Sequence, residues 1–167
     1  MKNLSQNQGL WLDEAAFGQA CRKAGLADTT QRRLIYRVLA ESFDHPTAET
    51  VHKRVGERLS RVSLATVYRN LKAFADSGMA DEVAVGGYSA RYDANKLPHQ
   101  HLVCRSCGQV RDYTPDPDSD SPRAPASSAL DGFEVDSAKI NWFGICAECA
   151  AARPSERKEL DDKERRH

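Results

Sequence analysis

The sequence contains no long run of apolar residues. Nothing in its 167 residues approaches the ~20 consecutive apolar residues of a membrane-spanning helix. The first residues, MKNLSQNQGLWLDEAAF, hold no apolar segment typical of a signal peptide. We therefore expect a cytoplasmic protein with no membrane partner. Because that compartment is reducing, the five cysteines are not expected to form disulfides.

The chain also lacks net charge, since its 24 basic residues equal its 24 acidic residues. The balance is not uniform along the chain. Residues 22–72 hold six more basic than acidic side chains, whereas residues 73–167 hold five more acidic ones. A basic N-terminal half is what a DNA-binding domain requires, although many solvated helical surfaces carry a similar excess. The charge distribution therefore permits DNA binding without establishing it.

The sequence shows no cofactor motif and no dedicated catalytic nucleophile. This absence disfavours an enzyme. It leaves transcriptional regulators and interaction modules as the classes that the remaining features have to separate.

Helical periodicity dominates the first half of the chain. A first helix is expected over residues 13–24, and Gly78 is expected to end a fourth. Thr30, Thr47 and Ser63 are predicted to cap the second, third and fourth helices, because their side chains can accept hydrogen bonds from the first helical turn. The residues predicted to face inward are Phe17, Ala20 and Cys21; Leu34, Ile35, Val38 and Leu39, followed by Phe43; Val51, Val55 and Leu59; and Leu64, Val67, Leu71 and Phe74.

After the fourth helix the pattern changes to that of β-strands. Residues 81–94 are predicted to form a hairpin, because Gly86-Gly87 can supply the positive φ angles of a tight turn. Helices followed by a hairpin form the winged-helix plan. Further strands are expected in HLVC, QVRDY and FEVDSAKINWFGIC, and the segment 114–130, rich in Pro, Ser and Asp, is expected to be a mobile loop.

Four of the cysteines form two identical Cys-x2-Cys pairs. The pair Cys104 and Cys107 is separated by 38 residues from the pair Cys146 and Cys149. Zinc prefers four thiolates at tetrahedral corners, and a Cys-x2-Cys turn presents two of them with little strain. A redox motif would not explain a second pair, so we predict structural zinc, without which this region should loosen or unfold. Cys21 stands in an apolar helical pattern and is predicted to be a core thiol.

A second group of potential metal ligands contains histidine and aspartate but no cysteine. His99 and His101 face the same side of a predicted strand, because alternate strand residues do. Asp93 precedes them and Asp112 follows on the next strand. Nitrogen and carboxylate ligands suit iron(II) or manganese(II), but from spacing alone a surface histidine pair is as good an interpretation. His45 is too distant in sequence to be nominated in this way.

Six motifs in order resemble the ferric uptake regulator (Fur) family over about residues 17–150: QRRLIYRVLAES, DHPTAE, SLATVYRNL, DSGM, HLVCRSCG and FGICAEC. The resemblance implies an α+β protein with an N-terminal winged-helix DNA-binding domain and a C-terminal α/β dimerisation domain that carries the four-cysteine zinc site. The implied divisions are residues 1–92, of which 1–12 are flexible, a hinge at 93–98, the dimerisation and zinc domain at 99–152, and a charged tail at 153–167.

The resemblance also implies a regulatory ion, Fe²⁺ or Mn²⁺, that joins the two domains and fixes the angle between them. By position in the motifs its ligands are His45, Asp93, His99, His101 and Asp112. Aspartate at both carboxylate positions resembles the peroxide-sensing branch, in which iron-dependent oxidation of a ligand histidine ends repression. The matching oxidation-sensitive positions are His45 and His99.

Several alternatives remain open. An iron-responsive repressor would use the same ligands without histidine oxidation, and a zinc-responsive repressor would usually add a cysteine ligand near the hinge, where this chain has none spare. A non-haem iron enzyme could hold its metal with histidines and carboxylates. A zinc-ribbon interaction module would bind DNA, if at all, independently of added iron or manganese.

The fourth helix is the candidate DNA-reading element. In a winged helix its outward face enters the major groove. A two-fold homodimer would bind a palindromic operator, which we expect to be A/T-rich. The predicted DNA contacts are Ala65, Arg69 and Lys72 on the outward face, Thr66 and Tyr68 on its flanks, and Ser63 at its start, with Ser63 and Thr66 directed to phosphates. From helical geometry alone, Tyr68 is as well explained as a half-buried packing residue.

Overall fold

The computed structural model describes residues 14–116, 132–135 and 138–152. Three predictions concern residues outside these ranges and stay predictions. They are the flexible segment 1–12, most of the mobile loop 114–130 and the charged tail 153–167.

Four helices form the N-terminal region, as expected. Their bounds are α1 Glu14–Lys23, α2 Thr30–Ala40, α3 Ala48–Gly56 and α4 Leu64–Asp76. Thr47 and Ser63 cap α3 and α4, since their hydroxyls accept hydrogen bonds from Thr50 N at 3.3 Å and Thr66 N at 3.2 Å. The predicted cap of α2 is wrong by one residue. Thr29, which has an extended backbone, accepts the bond from Arg32 N, whereas Thr30 is already helical.

The helices enclose one apolar core. Phe17, Tyr36 and Phe74 form its aromatic centre, with ring centroids 5.2 to 6.4 Å apart. Cys21 is fully buried beside them, as predicted, and burial raises the pKa of its thiol. Two predictions are wrong. Phe43 and Leu59 are exposed, because α2 and α3 end at Ala40 and Gly56 and the helical period does not continue to either side chain.

The predicted hairpin is confirmed as an antiparallel pair, β1 Asp81–Val83 with β2 Arg91–Asp93. Asp81 lies opposite Asp93. Gly86 and Gly87 have the expected positive φ angles of 43° and 86°. The connection is longer than a tight turn, because the strands stop at Val83 and resume at Arg91.

A three-stranded sheet forms the C-terminal region, in the order β4-β3-β5. Its strands are β3 Gln100–Cys104, β4 Val110–Tyr113 and β5 Asn141–Gly144. β3 is antiparallel to β4 and parallel to β5, so that His101 lies opposite Asp112 on one side and Asn141 on the other. The predicted strand in FEVDSAKINWFGIC survives only as β5, since residues 133–135 pair with no strand of the described chain. A short helix, α5 Ala147–Ala151, follows and was not predicted.

Hydrogen bonds join the two regions beside the link between β2 and β3. Arg91 Nη1 donates to the carbonyl of His45 at 2.9 Å, and Arg91 Nε donates to the carbonyl of Gly108. The hydroxyl of Tyr88 donates to Ser106 O at 2.6 Å. The Tyr88 ring lies so close to Gly108 that a Cβ there would stand 3.0 Å from it, and Gly108 has a φ of 69°. Glycine is therefore required at this contact.

The α+β fold class is confirmed: a helical N-terminal region precedes a β-sheet region that carries four clustered cysteines. No helix among the described residues has the length and apolar character needed to cross a membrane.

Candidate metal centres and DNA-binding face

The structure brings all four paired cysteines together. The Sγ atoms of these residues all lie within 4.8 Å of one another. We call Cys104, Cys107, Cys146 and Cys149 the cysteine cluster. Cys104 ends β3, and Cys107 stands in the turn that follows. Cys146 caps the N-terminus of α5, and Cys149 lies in the first turn of this helix. The four cysteines are free thiols, and Cys107 Sγ is 3.9 Å from Cys146 Sγ.

Backbone amides make the cysteine cluster suited to thiolates. The N–H of Cys146 donates to Cys104 Sγ at 3.3 Å, and the N–H of Cys149 donates to Cys146 Sγ at 3.5 Å. The first of these bonds is the main cause that lowers the pKa of Cys104 to about 6. Zinc binds cysteine as thiolate and takes four in a closed structural site. The four-cysteine donor set therefore fits a structural zinc ion.

A second set of five donor atoms converges where the helical region meets the sheet. The residues are His45, Asp93, His99, His101 and Asp112, and one ligand atom of each lies within 4.8 Å of the others. We call them the His–Asp cluster. His45 precedes α3, Asp93 ends β2, His101 and Asp112 are register partners on β3 and β4, and His99 precedes β3. The topology thus unites residues from both regions.

The two carboxylates lie among the three imidazoles. Asp93 Oδ2 is 3.0 Å from His99 Nε2, 3.6 Å from His101 Nε2 and 3.8 Å from His45 Nε2. Asp112 Oδ1 is 2.7 Å from His45 Nε2 and 3.7 Å from His99 Nε2. Two negative charges and three lone-pair nitrogens in this space form a binding site for a divalent cation.

Buried polar atoms without hydrogen-bond partners support this interpretation. Among the described residues, His45 Nδ1, His45 Nε2 and Asp93 Oδ2 are buried and make no hydrogen bond of acceptable geometry. Such atoms cost free energy unless another partner satisfies them. Since His45 Nε2 and Asp93 Oδ2 both face the centre of the His–Asp cluster, an ion held there would satisfy both.

Two histidines are oriented by bonds to their outer ring nitrogens. His99 Nδ1 donates to the carbonyl of Leu97 at 2.7 Å, and His101 Nδ1 lies 3.2 Å from Asn141 Oδ1. An oxygen acceptor requires a proton on Nδ1, so Nε2 is the nitrogen that would bind a metal ion in both residues, as in most metal-binding histidines. Asn141 was not predicted, because its contact with His101 crosses the β3–β5 pair and no local sequence pattern indicates it.

Charge in the His–Asp cluster shifts two titrations. Burial alone would raise the pKa of Asp93, but the imidazoles of His101 and His99 outweigh it and hold the pKa below its ordinary value. The Asp93 carboxylate in turn raises the pKa of His99 to about 9. The cluster therefore favours bound positive charge, whether proton or metal.

The predicted DNA contacts lie on one side of α4. Ser63, Ala65, Tyr68, Arg69 and Lys72 are exposed. The remaining predicted contact, Thr66, is half-buried. The Tyr68 hydroxyl donates to Glu49 on α3 at 2.6 Å while the residue stays 40% exposed, so Tyr68 combines a contact to α3 with accessible surface.

A side-chain contact that was not predicted fixes α4 on α2. Arg32 Nε donates to Asn70 Oδ1 at 2.7 Å, and Asn70 Nδ2 donates to the carbonyl of Thr66. A polar residue on the buried side of a predicted amphipathic helix is the signal that could have identified Asn70.

Comparison with known proteins gives consistent results. The sequence model of the ferric uptake regulator family matches residues 23–143. The chain is similar to the peroxide-responsive repressor PerR of Staphylococcus epidermidis, with 36% identity over 128 residues, 77% of this chain and 84% of the relative.

Solved structures show the same fold. The ferric uptake regulator of Pseudomonas aeruginosa with manganese has a TM-score of 0.60 and 27% identity, covering 78% of this chain and 97% of that one. The ferric uptake regulator of Helicobacter pylori has a TM-score of 0.64 at 22% identity, covering 93% and 99% of the two chains, and this likeness supports the fold alone.

Proposed function

Because this chain belongs to the ferric uptake regulator family and is therefore a metal-dependent transcriptional regulator rather than an enzyme, we propose that it is a peroxide-sensing repressor. In this proposal the His–Asp cluster holds iron(II) or manganese(II) while the protein binds its operator. The cysteine cluster holds zinc throughout. Regulators of this family bind DNA as dimers.

The observation that carries the proposal is the composition of the His–Asp cluster. It contains three imidazoles and two aspartates and no thiol, a donor set that suits iron(II) and manganese(II) better than softer metals. His45 comes from the helical region, and Asp112 comes from the sheet. A single ion bound to both would fix the helical region relative to the sheet, which is how metal occupancy can select a DNA-binding arrangement.

The proposed release step uses the ligands themselves. When iron(II) is bound, it supplies the redox chemistry through which peroxide adds one oxygen atom to a ligand histidine and leaves its other oxygen as water. We place this oxidation at His45 or His99. An oxidised His45 no longer ties the loop before α3 to Asp93 and Asp112, so the helical region is released from the sheet and operator affinity falls.

We propose that the DNA is read by the exposed face of α4, with Arg69 and Lys72 supplying positive charge, Ala65 and Tyr68 supplying apolar contacts, and Ser63 and Thr66 bonding phosphates. The operator of a two-fold dimer would be palindromic, and we expect it to be A/T-rich. We also propose that the protein acts in the cytoplasm. The division into a DNA-binding domain at residues 1–92, a hinge at 93–98 and a dimerisation domain at 99–152 is part of the same proposal.

One experiment separates this function from its alternatives. The zinc-containing protein is loaded with iron(II) or manganese(II) and exposed to peroxide, and then operator binding and the masses of its peptides are measured. The proposal predicts loss of binding and addition of one oxygen atom at His45 or His99 with iron only. Trypsin places His45 and His52 in one peptide, residues 38–53, so fragment masses use His52 as an internal control that lies outside the cluster.

Other outcomes favour other functions. Intact histidines and retained operator binding after peroxide would indicate an iron-responsive or manganese-responsive repressor. Operator binding that is unchanged by added iron(II) or manganese(II) would indicate a zinc-containing DNA-binding protein without metal regulation and would overturn the proposal.

A further inference from the structure

Asn95 lies between the two carboxylates of the His–Asp cluster and contacts both. Its backbone N–H donates to Asp93 Oδ1 at 2.8 Å, and its side-chain Nδ2 donates to Asp112 Oδ2 at 3.0 Å. Its own Oδ1 accepts the N–H of Leu97 at 3.1 Å. Because a backbone N–H can only donate, the Leu97 contact fixes which end of the amide faces Asp112.

These bonds divide the four carboxylate oxygens into two pairs. Asp93 Oδ1 and Asp112 Oδ2 are bonded to Asn95. Asp93 Oδ2 and Asp112 Oδ1 are the oxygens that lie 3.0 Å from His99 Nε2 and 2.7 Å from His45 Nε2. Each aspartate therefore presents one oxygen to the centre of the cluster and has the other turned away and occupied.

We propose that Asn95 is a positioning residue that restricts Asp93 and Asp112 to one metal-binding oxygen each. The inference rests on the proposed function, since it concerns the same ion. Three imidazole nitrogens and two single oxygens supply five ligand atoms. Iron(II) and manganese(II) commonly accept six, so an ion held by these five atoms would have a sixth position to which peroxide could bind. Without Asn95, a second aspartate oxygen could occupy this position and exclude peroxide.

Asp112 depends on this restriction more than Asp93 does. The bond to Asp93 comes from the backbone of Asn95 and survives any substitution there except proline. The bond to Asp112 comes from the side chain and is lost with it. The side chain of Asp112 is 32% exposed, against 8% for Asp93, so Asp112 has room to turn its second oxygen toward the ion.

Two variants and a control test the role of Asn95. Asn95→Ala removes the donor to Asp112, and Asn95→Asp removes the donor but keeps an acceptor for the Leu97 N–H. Lys96→Ala removes an exposed side chain of the same link whose ion pair with Asp81 lies outside the cluster, and it leaves the contacts of Asn95 intact. Each zinc-containing protein is titrated with cobalt(II), whose visible absorption weakens as its coordination number rises from five to six.

Both Asn95 variants are expected to show weaker cobalt absorption than the wild type, whereas Lys96→Ala retains the wild-type spectrum. At saturating iron(II), peroxide should oxidise their ligand histidines roughly 10- to 100-fold more slowly, the usual effect of losing a residue that orients a metal ligand. Loss of thermal stability without a change in the cobalt spectrum would assign Asn95 a turn-forming role only and would overturn the inference.

The wild type separates failure of this inference from failure of the proposed function. A wild-type protein that takes up no cobalt(II) beyond its zinc, or whose histidines resist iron and peroxide, overturns the proposed function and the inference with it. A wild-type protein that meets both conditions, with Asn95 variants indistinguishable from it, overturns the inference alone.

Discussion

The exposed face of α4 has two basic residues, Arg69 and Lys72. Among the described residues, only Arg69 of the two forms no ion pair. Lys72 forms an ion pair with Asp76 at 3.1 Å, whereas Arg69 Nη2 contacts only the neutral hydroxyl of Thr66 at 3.3 Å. An arginine in this state can bond a phosphate or a guanine edge without first breaking a salt bridge.

Arg69→Ala is therefore expected to weaken operator binding by about 1–3 kcal/mol, measured by fluorescence anisotropy at one fixed salt concentration. Arg58→Ala is the matched control, because Arg58 is paired with Glu41 and lies outside α4. Equal effects of the two substitutions would indicate a loss of general charge rather than of a contact, and would remove α4 from the reading role.

The zinc content of cysteine variants should distinguish Cys21 from the four residues of the cysteine cluster. Cys21→Ser places a hydroxyl in a fully buried apolar site and should lower the free energy of unfolding by about 1–3 kcal/mol with zinc content unchanged. Cys107→Ser should reduce bound zinc, because serine does not replace a thiolate ligand. Native mass spectrometry gives the zinc content, and loss of zinc from Cys21→Ser would contradict the assignment of Cys21 to the core.

Single residues differ in how well the sequence predicts them. His99 and His101 follow from strand alternation, and the cysteine cluster follows from two identical spacings. His45 joins the His–Asp cluster across a chain separation that no local rule spans, and only the resemblance to a family identified it. Asn95 stands two residues after Asp93, a spacing typical of Asx turns, but this spacing does not reveal its bond to Asp112 on another strand.

At the scale of elements, a helix begins after the residue whose side chain can accept a hydrogen bond from the first turn. Thr29 and Thr30 are chemically identical, so composition could not choose between them. The extended backbone at Thr29, with φ of −120° and ψ of 150°, directs its hydroxyl at Arg32 N. Thr30 is one residue inside the helix, where the same hydroxyl has no such role.

This pair of threonines offers a matched test. Thr29→Ala should lower the free energy of unfolding by about 1 kcal/mol, the usual cost of losing a helix cap. Thr30→Ala should change it by only a few tenths of a kcal/mol or raise it, because alanine favours a helix interior. Urea unfolding of the zinc-containing protein compares them, and a larger loss for Thr30→Ala would restore the original prediction.

Elements whose formation depends on distant partners were the hardest to predict. Residues 133–135 alternate apolar and charged side chains as a strand does, but a strand exists only where a neighbour pairs with it. The helix α5 is five residues long, too short to show a helical period, and it follows Cys146, whose sulfur caps it. The strands that flank the first cysteine pair were predicted because their apolar runs are bounded by clear turn residues.

At the scale of the whole molecule, the helical region and the sheet are joined by contacts outside both metal clusters. Asp81 on β1 lies 2.9 Å from Lys139 Nζ, before β5, and 3.3 Å from Lys96 Nζ in the link. Burial raises the pKa of Asp81, but the two lysines outweigh it and the pKa lies below its ordinary value. Asp81 is therefore an ionic contact between the regions that is independent of metal.

Asp81→Asn should reduce the free energy of unfolding by up to about 1 kcal/mol at neutral pH. Because the folded pKa is depressed, the contribution is fully present above the ordinary aspartate pKa of ~3.9 and is lost only as pH falls through the folded value. The difference between wild type and variant should thus stay constant from pH 8 to pH 5 and shrink with added salt. A difference that disappears before pH 5 would contradict the depressed pKa.

His45 has a φ of 48°, the only positive value at a non-glycine residue among those described. Such a backbone costs an L-residue about 1–2 kcal/mol. Arg91 holds the His45 carbonyl, and Tyr92 N donates to the carbonyl of the buried Pro46, so folding meets this cost before an ion binds. Each ~1.4 kcal/mol left to the ion would raise its dissociation constant about tenfold. In the proposed sensor, the metal concentration at which the site fills would therefore depend partly on the backbone conformation at His45, and weakening its bond to Arg91 would raise that concentration with all five proposed ligands intact.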